Sequence, residues 1–407
     1  MPINSLEQQA EAVDVVVVGG GPAGATAATD LARHGVAVLL LDRNGRIKPC
    51  GGAIPPQLIE EFAIPQDLLV AHIRSARMIS PGDQRVDMPI KGGYVGMVDR
   101  DVFDPWLRDR AKAAGADVRA ATFKRSQRTD DGQLLVTFVG SGADEEPVET
   151  TVKAKALIGA DGANSQVARQ CLPESEKVPC VSAYHEIVAS PSTAAGADFD
   201  PQRCDVWYQG RLSPDFYAWV FPHGDKTSIG VGTAQKGFSL RGAVSDLRQS
   251  IGLEDAETVR CEGAPIPLRP RKRWDDGRNV LLAGDAAGVV APASGEGIYY
   301  AMTGGRLAAE AVGDFLKTAN PAHLRTARKQ FMRQHGKVFW VLGMLQKFWY
   351  ANDRRRERFV SMCRDPDVQY LTWEAYMHKR LVKAKPGAHM RIFFKDLAHL
   401  LGVVKPS

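Results

Sequence analysis

The first chemistry that the sequence suggests is the binding of a dinucleotide through a glycine-rich turn. Gly19, Gly21 and Gly24 have the GxGxxG spacing, which gives a tight turn and lets the backbone approach a pyrophosphate at a helix N-terminus. Asp42 follows them, and an acid in this place can accept a hydrogen bond from an adenosine ribose hydroxyl. These residue types predict a dinucleotide site, and the aspartate leaves the choice between FAD and NAD open.

A strand–helix–strand unit must position this turn. Valines fill the stretch before Gly19, which predicts a buried strand, and the alanine-rich stretch after Gly24 predicts a helix that ends at Gly35. The stretch VAVLLLD, residues 36–42, predicts the second strand and closes at Asp42. Because strand, glycines, helix, strand and acid follow in register, the unit is far more specific than GxGxxG alone.

Two later motifs each place an aspartate beside a glycine at the end of a predicted buried strand: Asp161-Gly162 in LIGADGANS and Gly284-Asp285 in NVLLAGDAAG. An acid in such a place, followed by small residues that begin a helix, suits a ribityl chain and a pyrophosphate. Gly295 and Gly297 can then bring the backbone close to a flat ring. The two motifs favour FAD as the cofactor.

The three motifs, in this order, resemble the flavoprotein hydroxylase and reductase superfamily. That superfamily has an arginine that contacts FAD, and Arg100 in VDRDVFDPWL stands in the matching place; a solvated surface arginine fits the sequence equally well. The chain has a single GxGxxG motif. The resemblance therefore implies that a nicotinamide cofactor docks transiently on the FAD domain, or that electrons arrive another way.

A cysteine followed by two glycines, Cys50-Gly51-Gly52 in KPCGGAIP, narrows the resemblance together with the segment YAWVFPHGDKTSIGVG. Both resemble segments of the geranylgeranyl reductase family, and MISP and VDRDVFDPWL are similar to its chlorophyll and bacteriochlorophyll branch. The resemblance implies that Gly51 and Gly52 let the backbone pass under the flavin ring, with Cys50 beside it. Three roles for Cys50 stay open: a proton donor to the alkene, a gate, or the packing of a small apolar side chain.

Aromatic side chains alternate along the second segment. The family lines its substrate side with a YxWxFPxxxxxxxG segment, here Tyr217, Trp219, Phe221, Pro222 and Gly230. Since alternate residues of a strand share one face, the three aromatic residues would form a flat wall for an apolar tail. The alternative is a strand that simply faces a protein core. Tyr94 is a further candidate for this substrate pocket.

The resemblance implies an NADPH-dependent, FAD-mediated reduction of three of the four double bonds of a geranylgeranyl tail, which gives phytyl. The carrier of the tail stays open among bacteriochlorophyll, chlorophyll and free diphosphate. The competing interpretations are a flavin-dependent monooxygenase or halogenase of the same fold, a reductase of isoprenoid ether lipids, and an FAD-bearing membrane protein without catalytic function. His185 and Glu186 are either a proton relay or a polar pair at a strand edge.

We predict an α/β fold in which a Rossmann-type FAD-binding domain is combined with an antiparallel-sheet substrate domain, as in the aromatic hydroxylases, and with a helical C-terminal region. The FAD-binding domain takes residues 1–169 and 275–320, the substrate domain residues 170–274, and the basic C-terminal region residues 321–407. Short apolar runs with aromatic and turn residues predict the strands of the substrate domain.

Positive charge is concentrated at the C-terminus. Residues 321–407 contain 18 Lys and Arg against 6 Asp and Glu, a net charge of +12, whereas the whole chain carries +5. The apolar stretch VFWVLGMLQKFWY, followed by RRRER, suits a helix that lies on an anionic lipid surface, and MRIFFKDLAHLLGVV is a second such patch. A helical cap packed on a domain is the alternative. The lipid interpretation predicts a peripheral membrane protein, and the resemblance to the chlorophyll and bacteriochlorophyll branch implies the cytoplasmic side of the photosynthetic membrane.

Other classes of protein are disfavoured by composition. The six cysteines are widely spaced without a CxxC pair, which argues against a zinc site or any other metal site and suits a reducing compartment. The N-terminus resembles neither a secretory signal nor a transit peptide, and no stretch reaches about 18 consecutive apolar residues. The basic region has no recognised nucleic-acid-binding motif, so nucleic acid is not expected as a partner.

Overall fold

The computed structural model describes residues 10–43, 47–141, 146–172, 178–191 and 198–379. The chain divides into two compact units, and each unit is assembled from three separated segments. Unit 1 comprises Met1–Lys48, Asp101–Cys180 and Ile266–Phe339, and unit 2 comprises Pro49–Arg100, Val181–Pro265 and Trp340–Ser407.

The strands within the described ranges are β1 (Glu11–Val18), β2 (Val38–Asp42), β3 (Ala53–Ile54), β4 (Ala71–Ile73), β5 (Ser75–Ile79), β6 (Arg85–Pro89), β7 (Val95–Met97), β8 (Asp117–Arg128), β9 (Leu134–Ser141), β10 (Pro147–Gly159), β11 (Cys180–Ala189), β12 (Arg203–Trp207), β13 (Ala218–His223), β14 (Lys226–Thr233), β15 (Thr258–Pro267) and β16 (Val280–Leu282). The α-helices in the same ranges are α1 (Pro22–Arg33), α2 (Pro56–Glu61), α3 (Arg100–Ala113), α4 (Gln166–Cys171), α5 (Leu240–Ser250), α6 (Ile298–Thr318), α7 (Leu324–Trp349), α8 (Asp353–Met362) and α9 (Pro366–His378). Short 3-10 turns stand at Gln66–Leu68, Gly284–Ala287 and Pro321–His323.

Unit 1 is built on a parallel sheet whose strands lie in the order β8, β2, β1, β10, β16. Strand β9 pairs antiparallel with both β8 and β10. Val16 and Leu40 at the centre of the sheet are fully buried, as expected for continuous apolar strands of a parallel sheet. Helices α1 and α6 pack closely, because a Cβ atom at Gly305 would lie only 2.2 Å from the Ala23 carbonyl oxygen. The predicted strand–helix–strand unit is confirmed as β1, α1 and β2.

Unit 2 is built on a seven-stranded sheet in the order β15, β11, β14, β13, β12, β5, β6. The pairs β11–β14, β14–β13, β13–β12 and β5–β6 are antiparallel, whereas β12 and β5 are parallel. Val220, Ile229 and Val231 pack with Val244 and Leu247 of α5 to form the core of the unit. The predicted antiparallel sheet is confirmed, and a small sheet of β3, β7 and β4 accompanies it.

The compact units divide the chain at other residues than the predicted domains. Residues 49–100 belong to unit 2, because β5 pairs with β12 over Ser75–Ile79 and β6 pairs with β5. No motif in the sequence indicates that the distant strands β5 and β12 pair. The division of the chain by chemistry, into an FAD-binding, a substrate-binding and a basic C-terminal part, stays a proposal.

The described part of the C-terminal region, residues 321–379, is largely helical, as predicted, and α8 packs within unit 2. The Glu357 carboxylate accepts hydrogen bonds from the Ser80 hydroxyl and the Gly82 backbone N–H, both at 2.8 Å. Arg356, in the middle of RRRER, is 1% exposed, so this arginine does not face lipid as the sequence interpretation had it. The second apolar patch, residues 390–404, lies outside the described residues.

Candidate functional site

The glycine-rich turn of unit 1 has the close backbone contacts that its spacing predicts. Gly19 follows β1 at φ +103°, and a Cβ atom there would lie 2.4 Å from the Ala160 carbonyl oxygen, so a side chain is excluded. A Cβ atom at Gly24 would lie 1.9 Å from the Gly19 oxygen. Gly21 is the N-cap of α1 and supplies no side-chain hydrogen bond. The backbone N–H groups of the first turn of α1 are therefore suited to an anion such as a pyrophosphate.

Asp42, which we predict to accept a hydrogen bond from a ribose hydroxyl, lies at the end of a strand beside the glycine-rich turn. It ends β2, and its carboxylate accepts a hydrogen bond from the Gly20 backbone N–H at 2.6 Å, while the Arg108 guanidinium lies 3.4 Å away. Burial raises the pKa of the Asp42 carboxyl, and the hydrogen bond from Gly20 and the charge of Arg108 oppose that rise. A cavity of about 320 Å³ opens beside Asp42 and is also lined by Lys112 and Arg119.

The carboxylate of Asp161 holds a helix start. Its two oxygens accept hydrogen bonds from the Ser165 hydroxyl and from the backbone N–H groups of Gln166 and Val167 at the start of α4. Burial raises the pKa of this carboxyl, and these hydrogen bonds lower it. The Asp161-Gly162 turn is therefore fixed through its aspartate side chain, and a contact of either residue with FAD stays a prediction.

The Gly284-Asp285 motif forms a 3-10 turn after β16. The Asp285 carboxylate lies 2.5 Å from the Lys48 ammonium group, which is half-buried, whereas Asp285 is nearly fully buried. Gly295 has φ +67°, and Gly297 is the N-cap of α6 without a side-chain hydrogen bond. Unit 1 therefore has two helix starts capped by glycine and three acids at strand ends, a donor and acceptor set that fits FAD.

Arg100 begins α3 and is 5% exposed. The interpretation of Arg100 as a solvated surface arginine is therefore wrong. A buried arginine requires acceptors for its guanidinium group, and the contact of Arg100 with FAD stays a prediction.

In unit 2, the segment Cys50-Gly51-Gly52 is positioned by contacts with the backbone of Val98 and with the side chain of His223. The Gly52 carbonyl accepts a hydrogen bond from the Val98 backbone N–H at 3.0 Å, and the Gly52 N–H lies 3.4 Å from the Cys50 sulfur. His223 Nε2 lies 3.2 Å from the Gly51 carbonyl oxygen. The glycines thus permit an approach of backbone to an imidazole ring, which sequence reasoning had not foreseen.

The aromatic residues of β13 and its flank lie in one row. The ring centroids of Tyr217 and Trp219 are 5.9 Å apart, and those of Trp219 and Phe221 are 6.1 Å apart. Gly230 of β14 stands opposite Trp219, and a Cβ atom there would lie 2.2 Å from the indole ring. The glycine of the YxWxFPxxxxxxxG segment therefore makes room for its tryptophan. Pro222 lies out of this row, because it alternates with Phe221 along the strand.

Tyr94 has its contacts elsewhere in unit 2. Its hydroxyl donates to the Gln66 side chain at 2.8 Å, and its ring packs edge to face on His72 with centroids 4.4 Å apart. Among the described residues, no ring contact joins Tyr94 to the row of Tyr217, Trp219 and Phe221. A role for Tyr94 at the substrate stays a prediction.

His185 and Glu186 do not form a pair, since neighbouring residues of a strand point to opposite faces. His185 is buried and contacts the Ser228 hydroxyl at 2.9 Å and the Glu262 carboxylate at 3.0 Å. Ser228 also accepts a hydrogen bond from the Trp219 indole N–H at 3.1 Å. Glu186 instead binds Arg248 at 2.6 Å. The proposed relay between the two neighbours is therefore wrong, and His185 supports the aromatic row.

Three residues of these sites were not singled out in the sequence, namely Lys48, Asp99 and His223. Each stands beside a residue that was: Lys48 two positions before Cys50, Asp99 directly before Arg100, and His223 directly after Pro222. The sequence feature that could have indicated these residues is a charged or titratable side chain next to a motif. Its partner could not be inferred, because the contacts join segments 237 and 124 residues apart.

Known proteins similar to this chain include oxidoreductases. The model of the pyridine nucleotide-disulphide oxidoreductase family matches residues 13–186. A geranylgeranyl diphosphate reductase of Rhodobacter capsulatus is 56% identical over 394 residues, and the match covers 97% of this chain and 99% of that protein.

Two solved structures have a similar fold. A geranylgeranyl bacteriochlorophyll reductase-like protein of Thermoplasma acidophilum has a TM-score of 0.77 at 21% identity and is matched over 93% of this chain and 99% of its own. A flavin-dependent brominase has a TM-score of 0.73 at 17% identity, over 95% and 99%. Identities this low show the fold alone, and that fold agrees with the predicted α/β class.

Proposed function

The chain belongs to the geranylgeranyl diphosphate reductase family, and from that membership we propose that it is an FAD-dependent reductase of isoprenoid double bonds. The tail would be converted from geranylgeranyl to phytyl, on bacteriochlorophyll, on chlorophyll or as the free diphosphate. One observation carries the proposal beyond the family. A Cβ atom at Gly51 would lie 3.1 Å from the Phe221 ring, so the cysteine-glycine segment and the aromatic row form one continuous surface.

The cofactor proposal is FAD with NADPH as reductant. FAD, when bound, supplies hydride-transfer chemistry that no side chain can provide. Gly19, Gly21 and Gly24 would receive its pyrophosphate, Asp42 its adenosine ribose, and Asp285 its ribityl hydroxyls. The further residues proposed to contact FAD are Arg100, Asp161, Gly162, Gly284, Gly295 and Gly297. NADPH is proposed from the family resemblance. Because the sequence has a single dinucleotide motif, NADPH would dock transiently on the FAD-binding domain.

The substrate proposal rests on the chemistry of the aromatic row. A geranylgeranyl tail is long and apolar, so its reduced carbons can be held only by shape and apolar contact. Tyr217, Trp219 and Phe221 supply flat apolar walls at a spacing of about two residues along a strand. Because the flat faces of aromatic rings fix no register along an apolar chain, one site could accept three successive double bonds of the same tail.

The test is the mass of the product. The purified flavoprotein is incubated without oxygen, with NADPH, with geranylgeranyl-bacteriochlorophyll, geranylgeranyl-chlorophyll or geranylgeranyl diphosphate in parallel, and with NADH in a second series. Gains of hydrogen pairs on the tail that stop at one remaining double bond support the reductase, and the faster arm identifies the carrier. No reduction without oxygen, but a gain of one oxygen atom in air, would contradict it in favour of a monooxygenase.

The thiol of Cys50 is the side chain whose role the same assay can decide. Cys50→Ala is expected to slow tail reduction at least about tenfold if the thiol donates a proton or gates the segment, since general-acid contributions are typically of that size or larger. Cys171→Ala is the matched control, because the Cys171 thiol is half-buried like that of Cys50 but lies at the end of α4 in unit 1, where it contacts the Ser126 hydroxyl. If Cys50→Ala reduces the tail at the parent rate, the thiol neither donates a proton nor gates the segment, and packing is the remaining role of Cys50.

The second half of α7 presents an apolar face, which we propose as the membrane contact. Trp340 is 66% and Met344 54% exposed, and Lys347 is exposed on the same side of the helix. Large apolar side chains beside a cation suit the headgroup region of an anionic lipid surface. Among the helices that the structure describes, none has the length and apolarity to cross a membrane. The proposed location is therefore peripheral, on the cytoplasmic side of the photosynthetic membrane.

Sedimentation with lipid vesicles checks this face. The double variant Trp340→Ser with Met344→Ser is expected to bind anionic vesicles at least about tenfold more weakly than the parent, because each buried apolar side chain contributes about 1.5 kcal/mol or more. Tyr370→Ser, which removes an exposed aromatic ring from α9, is expected to bind like the parent. Equal binding by the double variant and the parent would refute the membrane role of this face.

A further inference from the structure

The side chain of His223 connects two segments of unit 2, the one that contains Asp99 and the one that contains Gly51. His223 ends β13 and is 5% exposed. Its Nδ1 atom lies 2.7 Å from an Asp99 carboxylate oxygen, and its Nε2 atom lies 3.2 Å from the Gly51 carbonyl oxygen. Each ring nitrogen therefore faces an oxygen.

Both of these oxygens are acceptors. A backbone carbonyl has no proton to donate. Burial alone would raise the pKa of the Asp99 carboxyl, but the hydrogen bond from His223 and the charges of His223, Lys226 and Arg260 hold it below its ordinary value. Asp99 is therefore a carboxylate that can only accept, and both contacts are hydrogen bonds only when both nitrogens of His223 donate. The imidazolium is the form of His223 that can donate to both oxygens at once.

The same ring also fixes the neighbour of Gly51. A Cβ atom at Gly52 would lie 2.4 Å from His223 Cε1 and 2.5 Å from the Val98 carbonyl oxygen. Gly52 is thus enclosed between the imidazole ring and the backbone of Val98, directly after β7. Its neighbour Gly51 is within hydrogen-bond distance of the same ring through its carbonyl oxygen. The two residues that follow Cys50 both take their position from His223.

We propose that His223, held as the imidazolium by Asp99, is a positioning residue that fixes the segment Cys50-Gly51-Gly52 in its working conformation. A neutral imidazole has one N–H and can satisfy only one of the two oxygens. Because the carboxylate is the stronger acceptor, deprotonation releases the Gly51 carbonyl. The consequence for tail reduction rests on the reductase function proposed above, whereas the hydrogen-bond arrangement does not.

The charged groups around His223 decide how it should titrate. Asp99 faces it directly and favours the imidazolium. Lys226 lies 3.8 Å from the other Asp99 oxygen, and Arg260 also acts on Asp99. Removal of the Asp99 charge leaves the positive charge of Lys226 beside the ring without this counter-ion, whereas Arg260 keeps its ion pair with Glu262. The titration midpoint of His223 is therefore expected to fall in Asp99→Asn.

Nitrogen-15 NMR of histidine-labelled, full-length, FAD-loaded protein measures this titration, with His223 assigned by its absence in His223→Gln. In Asp99→Asn the midpoint is expected to fall, because the imidazolium loses its hydrogen bond to a carboxylate. Asp67→Asn, at an exposed position of the same unit, is the matched control and should leave it unchanged. An unchanged midpoint in Asp99→Asn, or a His223 that is neutral at every pH in the parent, would overturn the proposal.

The pH profile of tail reduction tests the consequence. In the parent, kcat is expected to fall as the pH rises through the His223 midpoint, and in Asp99→Asn this fall should move to lower pH by the same amount. His223→Gln should be slower at low pH and should lack the step. A role in folding alone would lower kcat at every pH without moving the step. If the parent does not reduce the tail at all, the proposed function fails, and the NMR result still decides the arrangement of His223.

Discussion

Gly52→Ala is expected to abolish measurable tail reduction and to lower the free energy of unfolding by about 2–4 kcal/mol, the sum of left-handed backbone strain and overpacking. Gly52 has φ +72°, a conformation that alanine adopts at a cost. Its new methyl group would also meet His223 Cε1 at 2.4 Å and the Val98 carbonyl oxygen at 2.5 Å. Since one of these atoms is backbone, the segment itself has to move.

Gly92→Ala is the matched control for this prediction. Gly92 has nearly the same backbone conformation, φ +75°, but a Cβ atom there has open space around it. Its loss of stability should therefore be limited to the strain, about 1 kcal/mol. Urea unfolding measures both variants, and the anaerobic product assay measures their activity. If Gly52→Ala is no less stable and no less active than Gly92→Ala, the contact of the segment with His223 contributes neither to stability nor to activity.

Arg356→Met is expected to lower the free energy of unfolding by about 3 kcal/mol, because it leaves buried acceptors without a donor. Arg356 is the buried member of RRRER. It donates to the Pro214 carbonyl, to the Tyr350 carbonyl at 2.6 Å and to the Asp353 carboxylate at 2.7 Å. The arginine thus joins the loop before β13 to the connection between α7 and α8.

The control stands two residues away in the same helix. Arg354 is exposed, so Arg354→Met should change the stability by no more than about 0.5 kcal/mol. The two variants remove the same charge, and urea unfolding compares their stability. Vesicle binding compares their contribution to lipid contact, which only the exposed Arg354 can make directly. Equal stability of the two variants would show that the hydrogen bonds of Arg356 contribute little.

The sequence predicted the parts of the fold that are encoded locally. The valine run before Gly19, the glycines and the strand that closes at Asp42 predicted β1, α1 and β2, since each element is specified by its own period and boundaries. The alternation of Tyr217, Trp219 and Phe221 likewise predicted the aromatic row. In these cases the signal is contained within a few tens of residues.

The partners of the site residues could not be predicted, because topology brings them together from distant segments. Lys48 meets Asp285 across 237 residues, and Asp99 meets His223 across 124. Glu357 meets the MISP loop at Ser80 across 277. MISP, which resembles the chlorophyll and bacteriochlorophyll branch of the family, is thus bound by Glu357 of the C-terminal region.

The assembly of each unit from three separated segments bears on how the protein matures. Strand β16, which completes the parallel sheet of unit 1, ends at Leu282, and Met377 of α9 still contributes to a core of unit 2 together with Ile73 and Val95. A nascent chain therefore exposes unpaired strand edges and apolar surface until most of it has left the ribosome. Contacts between such distant segments form slowly. Folding should be completed only after translation ends, with chaperones protecting the unfinished chain from aggregation.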